Sequence, residues 1–282
     1  MVYTGVEVMA KRVKGWVGVM MLGAVVACAG MPGRAMAWGR LGHRAAAKVT
    51  EGRLTPEALA GVRAILNPGE TLAEASTWAD EVRRDIPESG PWHYVNVPIT
   101  ENRYDAKFCG EKGCVVEKTK EFRKVLADPT VSKEERRKAL RFLTHFVQDM
   151  HQPVHVGERG DRGGNNTQVQ FFGKGSNLHR VWDSGLIERV YQEEEALAGD
   201  LSALIAAEKG ESWGSGSEED WATESLIAAK GAYEAAGQGR ALKKGEKLGD
   251  AYQEANFPVA KRRLAQSAVR LAWVLNEVFA AK

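Results

Sequence analysis

Apolar residues recur every three or four positions through most of the chain beyond residue 40, which is the spacing of amphipathic helices. This pattern predicts helices over residues 41–53, 55–66, 72–85, 132–152, 177–192, 193–208, 217–237 and 257–280. Only residues 169–172, which follow Asn165-Asn166 and precede Gly173, favour a short strand of a hairpin. The expected fold class is therefore all-α, with at most a short β-hairpin.

The helix predicted over residues 132–152 has the clearest ends. Ser132-Lys133-Glu134-Glu135 matches a capping box at its start, and Pro153 stops it. No internal repeat or linker is present, and we interpret the Gly/Ser-rich residues 210–217 as a surface loop. We expect a single domain over residues 38–282.

Residues 1–37 have the organisation of a cleaved secretory signal peptide. Lys11, Arg12 and Lys14 precede a 15-residue apolar run over residues 16–30, and Ala35-Met36-Ala37 forms a small-residue cleavage site. The run is shorter than the ~20 residues that a bilayer span requires, and no later segment is apolar enough. We therefore expect export to the periplasm or the medium without a membrane span. Cys28, in a loose lipoprotein-like box, leaves lipid anchoring as an alternative.

Length and composition favour a folded chain, with 282 residues of which 44% are hydrophobic. The chain has 39 Lys and Arg against 37 Asp and Glu, and residues 38–282 alone carry a net charge of −1. This balance excludes a protein that coats nucleic acid through a global positive field. A polyanion would have to be held locally, by a few arginines or by metal ions.

The two cysteines beyond residue 37 are Cys109 and Cys114, which lie close together in a glycine-containing loop. In an exported chain this spacing favours a local disulfide. Free thiols or half of a zinc site are the alternatives, and a second cysteine pair for zinc is missing.

Two of the predicted helices contain the pattern His-x3-Asp, at His145/Asp149 and His179/Asp183. This spacing places an imidazole and a carboxylate on one helix face, where both can coordinate a single cation. One such pair is often only a structural hydrogen bond, but two pairs favour metal sites.

Other candidate ligands lie outside these two pairs. His155 follows the turn at Pro153, and His93 lies in a short segment with apolar flanks. Asp80 also fits a solvated helix face, and each histidine taken alone fits a structural role. Many histidines near carboxylates, with few cysteines, are nevertheless typical of zinc sites with nitrogen and oxygen ligands.

The N-terminus created by export would add a further ligand. Cleavage after Ala37 makes Trp38 the first residue, with His43 close behind it. A free α-amine has a pKa near ~7.7–8 and binds zinc once it is deprotonated. The Trp38 carbonyl oxygen could then close a chelate ring.

Several motifs resemble those of a known family, the secreted zinc-dependent single-strand-specific nucleases and 3′-nucleotidases of fungi, plants and bacteria. The matching residues are Trp38-Gly39-x-x-Gly42-His43, Ser76-x-Trp78-Ala79-Asp80-Glu81-x-Arg83, Trp92-His93-Tyr94, Leu143-x-His145-Phe146-x-x-Asp149-Met150-x-Gln152-Pro153-x-His155, Gly163-Gly164-Asn165 and Asn177-Leu178-His179-x-x-Trp182-Asp183. They occur in the family's order.

The resemblance implies three zinc ions at the bottom of a cleft. One would be held by Asp80, His93, His145 and Asp149, its neighbour by the amine and carbonyl of Trp38, His43 and the shared Asp149, and the third by His155, His179 and Asp183. His151 is left over. It lies two residues from Asp149 and points away from that helix face, so we assign it a structural or supporting role.

The resemblance also implies the chemistry. A hydroxide bridging the close zinc pair would attack phosphorus in line, and the third zinc would stabilise the departing 3′-oxygen. Arg83 would neutralise charge on the phosphate through bidentate contact, although a surface salt bridge is the alternative. The substrates would be single-stranded DNA and RNA and 3′-nucleotides, cut to leave 5′-phosphates by an enzyme that we expect to be a monomer.

Substrate contacts are expected from Tyr94, Asn96 and Asn165. Tyr94 resembles the family position whose ring stacks on a base, although core packing is the alternative. Asn96 stands where the fungal members have a base-reading Asp. Because Asn offers donors as well as an acceptor, the fungal base preference does not transfer to this chain.

Two other functions remain open at this stage. Bacterial zinc phospholipase C resembles this family in fold, but the spacing Trp38-x4-His43 and the pair His179/Asp183 favour a nuclease. A non-catalytic zinc-binding protein could use the same ligands.

Overall fold

The computed structural model describes Met1, residues 38–236 and residues 238–280. The predicted signal peptide, with Cys28 and the cleavage site at Ala37, lies outside the described residues except for Met1. The described residues from Trp38 onwards belong to one compact unit. In the described part of the chain, no helix is both long and apolar enough to cross a membrane.

The architecture is mainly helical, as the sequence predicts. The α-helices are α1 (Gly39–Glu51), α2 (Pro56–Ile65), α3 (Leu72–Ala75), α4 (Trp78–Glu81), α5 (Val115–Ala127), α6 (Lys133–Met150), α7 (Leu178–Arg180), α8 (Leu186–Glu188), α9 (Glu194–Ala207), α10 (Glu218–Ala232) and α11 (Asp250–Phe279). A π-helical turn, Val181–Gly185, joins α7 to α8. Short 3-10 helices are Val82–Arg84, Pro87–His93, Ala106–Phe108, Pro153–His155 and Gly210–Trp213.

The strands are short and form three small sheets. Strands β1 (Val97–Pro98) and β2 (Gly157–Glu158) pair in parallel. The predicted hairpin is confirmed as β3 (Gln168–Phe171) and β4 (Lys174–Asn177), and β7 (Glu246–Leu248) adds to it. Strands β5 (Glu234–Ala235) and β6 (Arg240–Ala241) form the third sheet.

The helix predicted over residues 72–85 is interrupted. It divides into α3 and α4 at Ser76 and Thr77, and a 3-10 turn follows. The Ser76 hydroxyl donates to the Ala73 carbonyl at 2.7 Å, and the Thr77 hydroxyl donates to the Glu74 carbonyl at 3.3 Å. Such local bonds compete with the helical ladder, and here they accompany its interruption.

Helix α5 was not predicted, although its buried side chains recur at helical spacing and it packs along α6. The disulfide expected between Cys109 and Cys114 is confirmed just before this helix. Helix α11 begins earlier than the predicted residue 257 and continues through Pro258.

Apolar side chains bury themselves in two clusters, one around α5 and α6 and one around α1, α9 and α11. Helix α1 contributes Ala47 to the first cluster and Ala45, Ala46 and Val49 to the second. It also contacts α6 directly. The side chains that α1 and α6 turn towards each other are therefore fixed by the packing of both clusters.

Candidate metal centre

Helix α6 carries two of the predicted ligands on one buried face. Both His145 and Asp149 are fully buried, and the Nε2 atom of His145 lies 3.2 Å from Oδ2 of Asp149. His43 approaches from α1, with its Nε2 atom 3.4 Å from Oδ1 of Asp149. These three side chains form a first donor group whose ligand atoms lie within 4.8 Å of one another.

A second donor group adjoins the first and shares His145 with it. Asp80 comes from α4 and His93 from the end of the 3-10 helix Pro87–His93. The Oδ1 atom of Asp80 lies 3.8 Å from Nδ1 of His93, and its Oδ2 atom lies 3.8 Å from Nε2 of His145. Asp149 Oδ2 is 3.0 Å from Nδ1 of His93, so this carboxylate touches both groups.

The third donor group consists of His155, His179 and Asp183. The two carboxylate oxygens of Asp183 lie 3.5 Å from Nε2 of His155 and 3.4 Å from Nε2 of His179. Gln152 donates to the same carboxylate at 2.5 Å. The π-helical turn that contains Asp183 still leaves this side chain facing His179.

Most of the histidine rings are oriented by an oxygen on their far side. The ring nitrogens and their partners are Nδ1 of His145 with the Ser76 carbonyl at 2.7 Å, Nδ1 of His155 with the His93 carbonyl at 2.8 Å, Nδ1 of His179 with the Gly163 carbonyl at 2.7 Å, and Nδ1 of His43 with Oε1 of Gln148. Contacts of this kind fix the tautomer and leave the opposite nitrogen free to bind a metal.

The donor atoms do not all satisfy one another by hydrogen bonding, and their arrangement suits a metal ion. Several of them are buried without a hydrogen-bond partner in the described structure, namely His43 Nε2, both carboxylate oxygens of Asp80, Asp149 Oδ1, His155 Nε2 and Asp183 Oδ2. Burying polar atoms unpaired is costly. Nitrogen and oxygen donors clustered in this way match the ligands of zinc.

Two histidines of the second donor group, His145 and His93, differ in their affinity for protons. Burial lowers the pKa of His145, but the negative charges of Asp149 and Asp80 outweigh it and raise that pKa to about 9. Burial dominates at His93 and lowers its pKa to about 4, despite the Asp149 carboxylate. The two carboxylates therefore favour a proton on His145, whereas burial disfavours one on His93.

A cleft of about 330 Å³ opens above these groups, with His93, His155 and His179 in its wall. All four residues that the sequence assigns to the substrate or the phosphate line it, namely Arg83, Tyr94, Asn96 and Asn165. The Nη1 atom of Arg83 lies 3.5 Å from Oδ1 of Asp80. The structure thus brings the predicted ligands and the predicted substrate contacts to one place.

Comparison with known proteins agrees with this geometry. The family model described as S1/P1 Nuclease matches residues 38–280, which is most of the chain. The chain belongs to the S1/P1 nuclease family. It is similar to Endonuclease 2 of Arabidopsis thaliana, with 32% identity over 263 residues that cover 86% of this chain and 90% of the relative.

Fungal members of the S1/P1 nuclease family match a shorter stretch. Nuclease P1 of Penicillium citrinum is 34% identical over 163 residues, or 54% of this chain and 59% of that protein. Nuclease S1 of Aspergillus oryzae is 31% identical over 160 residues, or 54% of this chain and 55% of that protein.

Trp38, where the S1/P1 nuclease match begins, is linked to the first donor group through Gln148. Its side chain is fully buried, and its indole N–H donates to the Gln148 carbonyl at 2.8 Å. Gln148 in turn contacts His43 through its side chain. The Trp38 carbonyl oxygen accepts the Gly42 N–H at 3.1 Å, which occupies one of its two lone pairs. Ligation by its α-amine and carbonyl remains a prediction.

His151 does not join the donor groups. Its Nδ1 atom donates to the Val147 carbonyl at 2.6 Å, and its Nε2 atom accepts from Nη1 of Arg270 at 2.9 Å. Burial holds its pKa well below the ordinary range, and the charges of Arg263 and Arg270 add to this effect. A neutral ring with both nitrogens engaged supports the structural role that the sequence suggests for His151.

Arg162 also lines the cleft, although no motif in the sequence points to it. This residue begins a run of three positive φ angles, 59° at Arg162, 61° at Gly163 and 85° at Gly164. A Cβ atom on Gly163 would lie 2.3 Å from the Val154 carbonyl oxygen, so only glycine fits there. The glycine pair was the available signal that the backbone of this loop is unusual.

Proposed function

We infer that this protein is a zinc-dependent endonuclease that cuts single-stranded DNA and RNA to leave 5′-phosphates, and that it also removes phosphate from 3′-nucleotides. One observation carries the inference: three groups of buried histidine and aspartate donors meet beneath a cleft whose lining includes Arg83, Tyr94 and Asn96. The relatives named as nucleases support the same conclusion.

Three zinc ions are proposed, held as the resemblance implies. Asp80, His93, His145 and Asp149 would hold one, the Trp38 amine and carbonyl with His43 and Asp149 the second, and His155, His179 and Asp183 the third. Support comes from the shared position of Asp149 and from the unpaired donor atoms. Bound zinc would supply a Lewis acid for phosphate oxygens and would lower the pKa of water.

Arg83 is proposed to neutralise the charge that develops on the phosphate. Its guanidinium is about one-third exposed, and it reaches both the cleft and the Asp80 carboxylate. That contact restricts the side chain, so the planar fork is held ready for a phosphate oxygen.

Tyr94, Asn96 and Asn165 are proposed to position the nucleotide. Tyr94 offers a ring on which a base can stack, and the Asn96 amide offers one acceptor and two donors to a base edge. The Asn165 amide donates to the Arg162 carbonyl at 2.9 Å, which fixes its side chain beside the cleft. Because the donor groups lie below the surface, a flexible single strand reaches them more easily than a stiff duplex.

Export belongs to the same proposal. Cleavage between Ala37 and Trp38 would release the protein to the periplasm or the medium and would also create the amine that completes the second zinc site. We propose that the released domain, residues 38–282, acts as a monomer.

The test is elemental analysis of the exported, cleaved protein, with hydrolysis of single-stranded DNA measured on the same sample. We expect about three zinc ions per chain, together with an activity that a chelator removes and zinc restores. A duplex of the same sequence should be cut much more slowly. Bound zinc without phosphodiester hydrolysis would contradict the proposed function, and so would hydrolysis that survives complete removal of metal.

A further inference from the structure

Arg162 is the second arginine among the residues that line the cleft. Its neighbours in that lining include Asn165 and His179. Its side chain is exposed and forms no ion pair with any carboxylate of the described residues, whereas Arg83 pairs with Asp80. Of the described residues that line the cleft, none is acidic. The described lining of the cleft therefore presents two arginines and no carboxylate to a polyanion.

The backbone of Arg162 is held firmly. Its N–H donates to a carboxylate oxygen of Glu158 at 3.1 Å. Its carbonyl oxygen accepts the Asn165 backbone N–H at 3.3 Å and the Asn165 side-chain amide at 2.9 Å. The φ angle of 59° is unfavourable for a residue with a side chain. Strain of this kind is found where the surrounding structure imposes it, frequently at functional sites.

The carboxylate of Asp161, the residue before Arg162, is engaged by other groups and does not pair with the Arg162 guanidinium. Its Oδ1 atom accepts from the Tyr233 hydroxyl at 2.8 Å and from the Gly164 N–H at 3.0 Å. Its Oδ2 atom accepts from the Thr167 hydroxyl at 2.5 Å. These bonds use the carboxylate inside the loop, so the charge of Arg162 remains available to the cleft.

The two arginines adjoin different donor groups. Arg83 contacts Asp80 of the second group. Arg162 precedes Gly163, whose carbonyl accepts from Nδ1 of His179 in the third group. A strand lying across the second and third groups would therefore meet one arginine beside each of them.

We propose that Arg162 binds the phosphate on the 5′ side of the nucleotide whose 3′-oxygen departs. The inference rests on the proposed function, with the third zinc taken to stabilise the departing 3′-oxygen, as the resemblance implies, and with the strand continuing upstream from it. A guanidinium binds phosphate through two parallel hydrogen bonds, which suits a backbone phosphate of any sequence. Arg162 thereby favours strands with an upstream phosphate over substrates that lack one.

The test compares two dinucleotides, d(TpT) and d(pTpT), which differ only in the 5′-phosphate. For the unmodified protein we expect kcat/KM to be about twofold to fivefold higher with the 5′-phosphate, as for an exposed ion pair. Arg162→Gln should reduce this ratio to about one, and Arg162→Lys should retain part of it. Arg103→Gln is the matched control, because Arg103 is an exposed arginine outside the cleft lining.

A binding measurement separates recognition from turnover. With hydrolysis-resistant methylenephosphonate analogues of the same dinucleotides, the 5′-phosphate should tighten binding to the zinc-loaded protein but not to Arg162→Gln. On a longer analogue, the slope of log K against the logarithm of the salt concentration should be about 0.7 less steep for Arg162→Gln than for the parent. That difference corresponds to the loss of one phosphate contact on a single strand.

A further variant separates phosphate binding by Arg162 from a purely structural role of this residue. Arg162→Gly removes the guanidinium and suits the positive φ angle, so it should fold at least as stably as the parent and still lose the preference. Equal rates on both dinucleotides for the unmodified protein would overturn the proposal for Arg162 and leave the proposed nuclease function intact. A uniform loss on both substrates in Arg162→Gln would also overturn it. If neither dinucleotide nor longer single-stranded DNA is cut in the presence of zinc, the proposed function itself fails.

Discussion

The ring of His155 is oriented by the backbone of His93, because its Nδ1 atom donates to the His93 carbonyl oxygen at 2.8 Å. The Val95 N–H returns a bond to the His155 carbonyl at 2.8 Å, and the Val97 N–H donates to Val156 at 2.9 Å. These bonds continue into the pairing of β1 with β2. The second and third donor groups are therefore joined through one short, paired backbone segment.

Asp149 is expected to be the least replaceable of the candidate ligands. Its carboxylate lies within 3.4 Å of His43, His93 and His145, so Asp149→Ala or Asp149→Asn removes a shared ligand. We expect loss of at least one zinc ion and a fall in hydrolysis of more than about 100-fold, since even residues that only support a ligand cost 10–100-fold. Elemental analysis and a single-strand assay measure both effects, with exposed Asp105→Asn as the control. Full zinc content with normal turnover would refute the assignment.

The position of Trp38 leads to a prediction about the N-terminus. Because the indole is buried and bonded to Gln148, one extra residue before Trp38 moves the α-amine away while the ring stays in place. We expect the zinc content to fall by about one ion and the activity to drop by about 100-fold. Removing the added residue with a protease should restore both, as followed by mass spectrometry and zinc analysis. Parental rates from a chain whose extension is intact would rule out the amine as a ligand.

The Asp161–Tyr233 hydrogen bond is expected to support the third zinc site from a distance. Tyr233 donates to Asp161, and Asp161 fixes the loop whose Gly163 carbonyl orients His179. Tyr233→Phe should lower the affinity of one of three zinc ions by about 10-fold and leave the other two unchanged. Competition with a chelator measures this.

Tyr191→Phe provides the matched control, because Tyr191 donates to Asp200 in the same way but outside the cleft lining. If both variants lose zinc equally, the Asp161–Tyr233 bond has no specific role at the third site.

The carboxyl group of Glu224 is expected to contribute to the free energy of unfolding in a pH-dependent way. Burial raises the pKa of its carboxyl, but Arg270 and Arg263 outweigh it, so the pKa lies below the usual value of 4.5. A lowered carboxyl pKa stabilises the fold above about pH 4.5, and this contribution is lost as the pH falls through the folded-state pKa. Because the Glu224 side chain is 42% exposed, Glu224→Gln should cost only about 1 kcal/mol at pH 7.

Thermal unfolding measures this difference, which should amount to about 2–4 °C at pH 7 and should shrink as the pH falls through the lowered pKa of Glu224. The exposed Glu254 on α11 supplies the control, Glu254→Gln. A difference in Tm that is constant from pH 7 to pH 3 would show that the carboxylate charge is not responsible.

Local signals in the sequence were sufficient to predict α6 and its ligands. Ser132 caps the helix by accepting the Glu135 N–H at 3.2 Å, and the spacing of His145 and Asp149 fixes their common face. The interruption at Ser76 was not predicted, because the apolar stripe runs on through it. That break matters to the site, since the Ser76 carbonyl then accepts from Nδ1 of His145.

Contacts between distant parts of the chain were beyond prediction from one sequence. The bond from Tyr233 to Asp161 joins residues 72 positions apart, and no periodicity relates them. The backbone of Arg162 was missed for a similar reason, because its φ angle follows from bonds to Glu158 and Asn165. Helix propensity and residue spacing describe neighbours along the chain, whereas these features depend on the folded loop.

Each donor group draws on stretches of chain that are far apart in sequence: His43 meets Asp149, Asp80 meets His145, and His155 meets Asp183. An ion bound to any of these groups would act as a cross-link that closes a loop of the unfolded chain. Ligands that bind only the folded state raise its stability with the logarithm of their free concentration. The thermal midpoint of this protein should therefore report the free zinc of its surroundings, so that the same atoms would set both its chemistry and its resistance to unfolding.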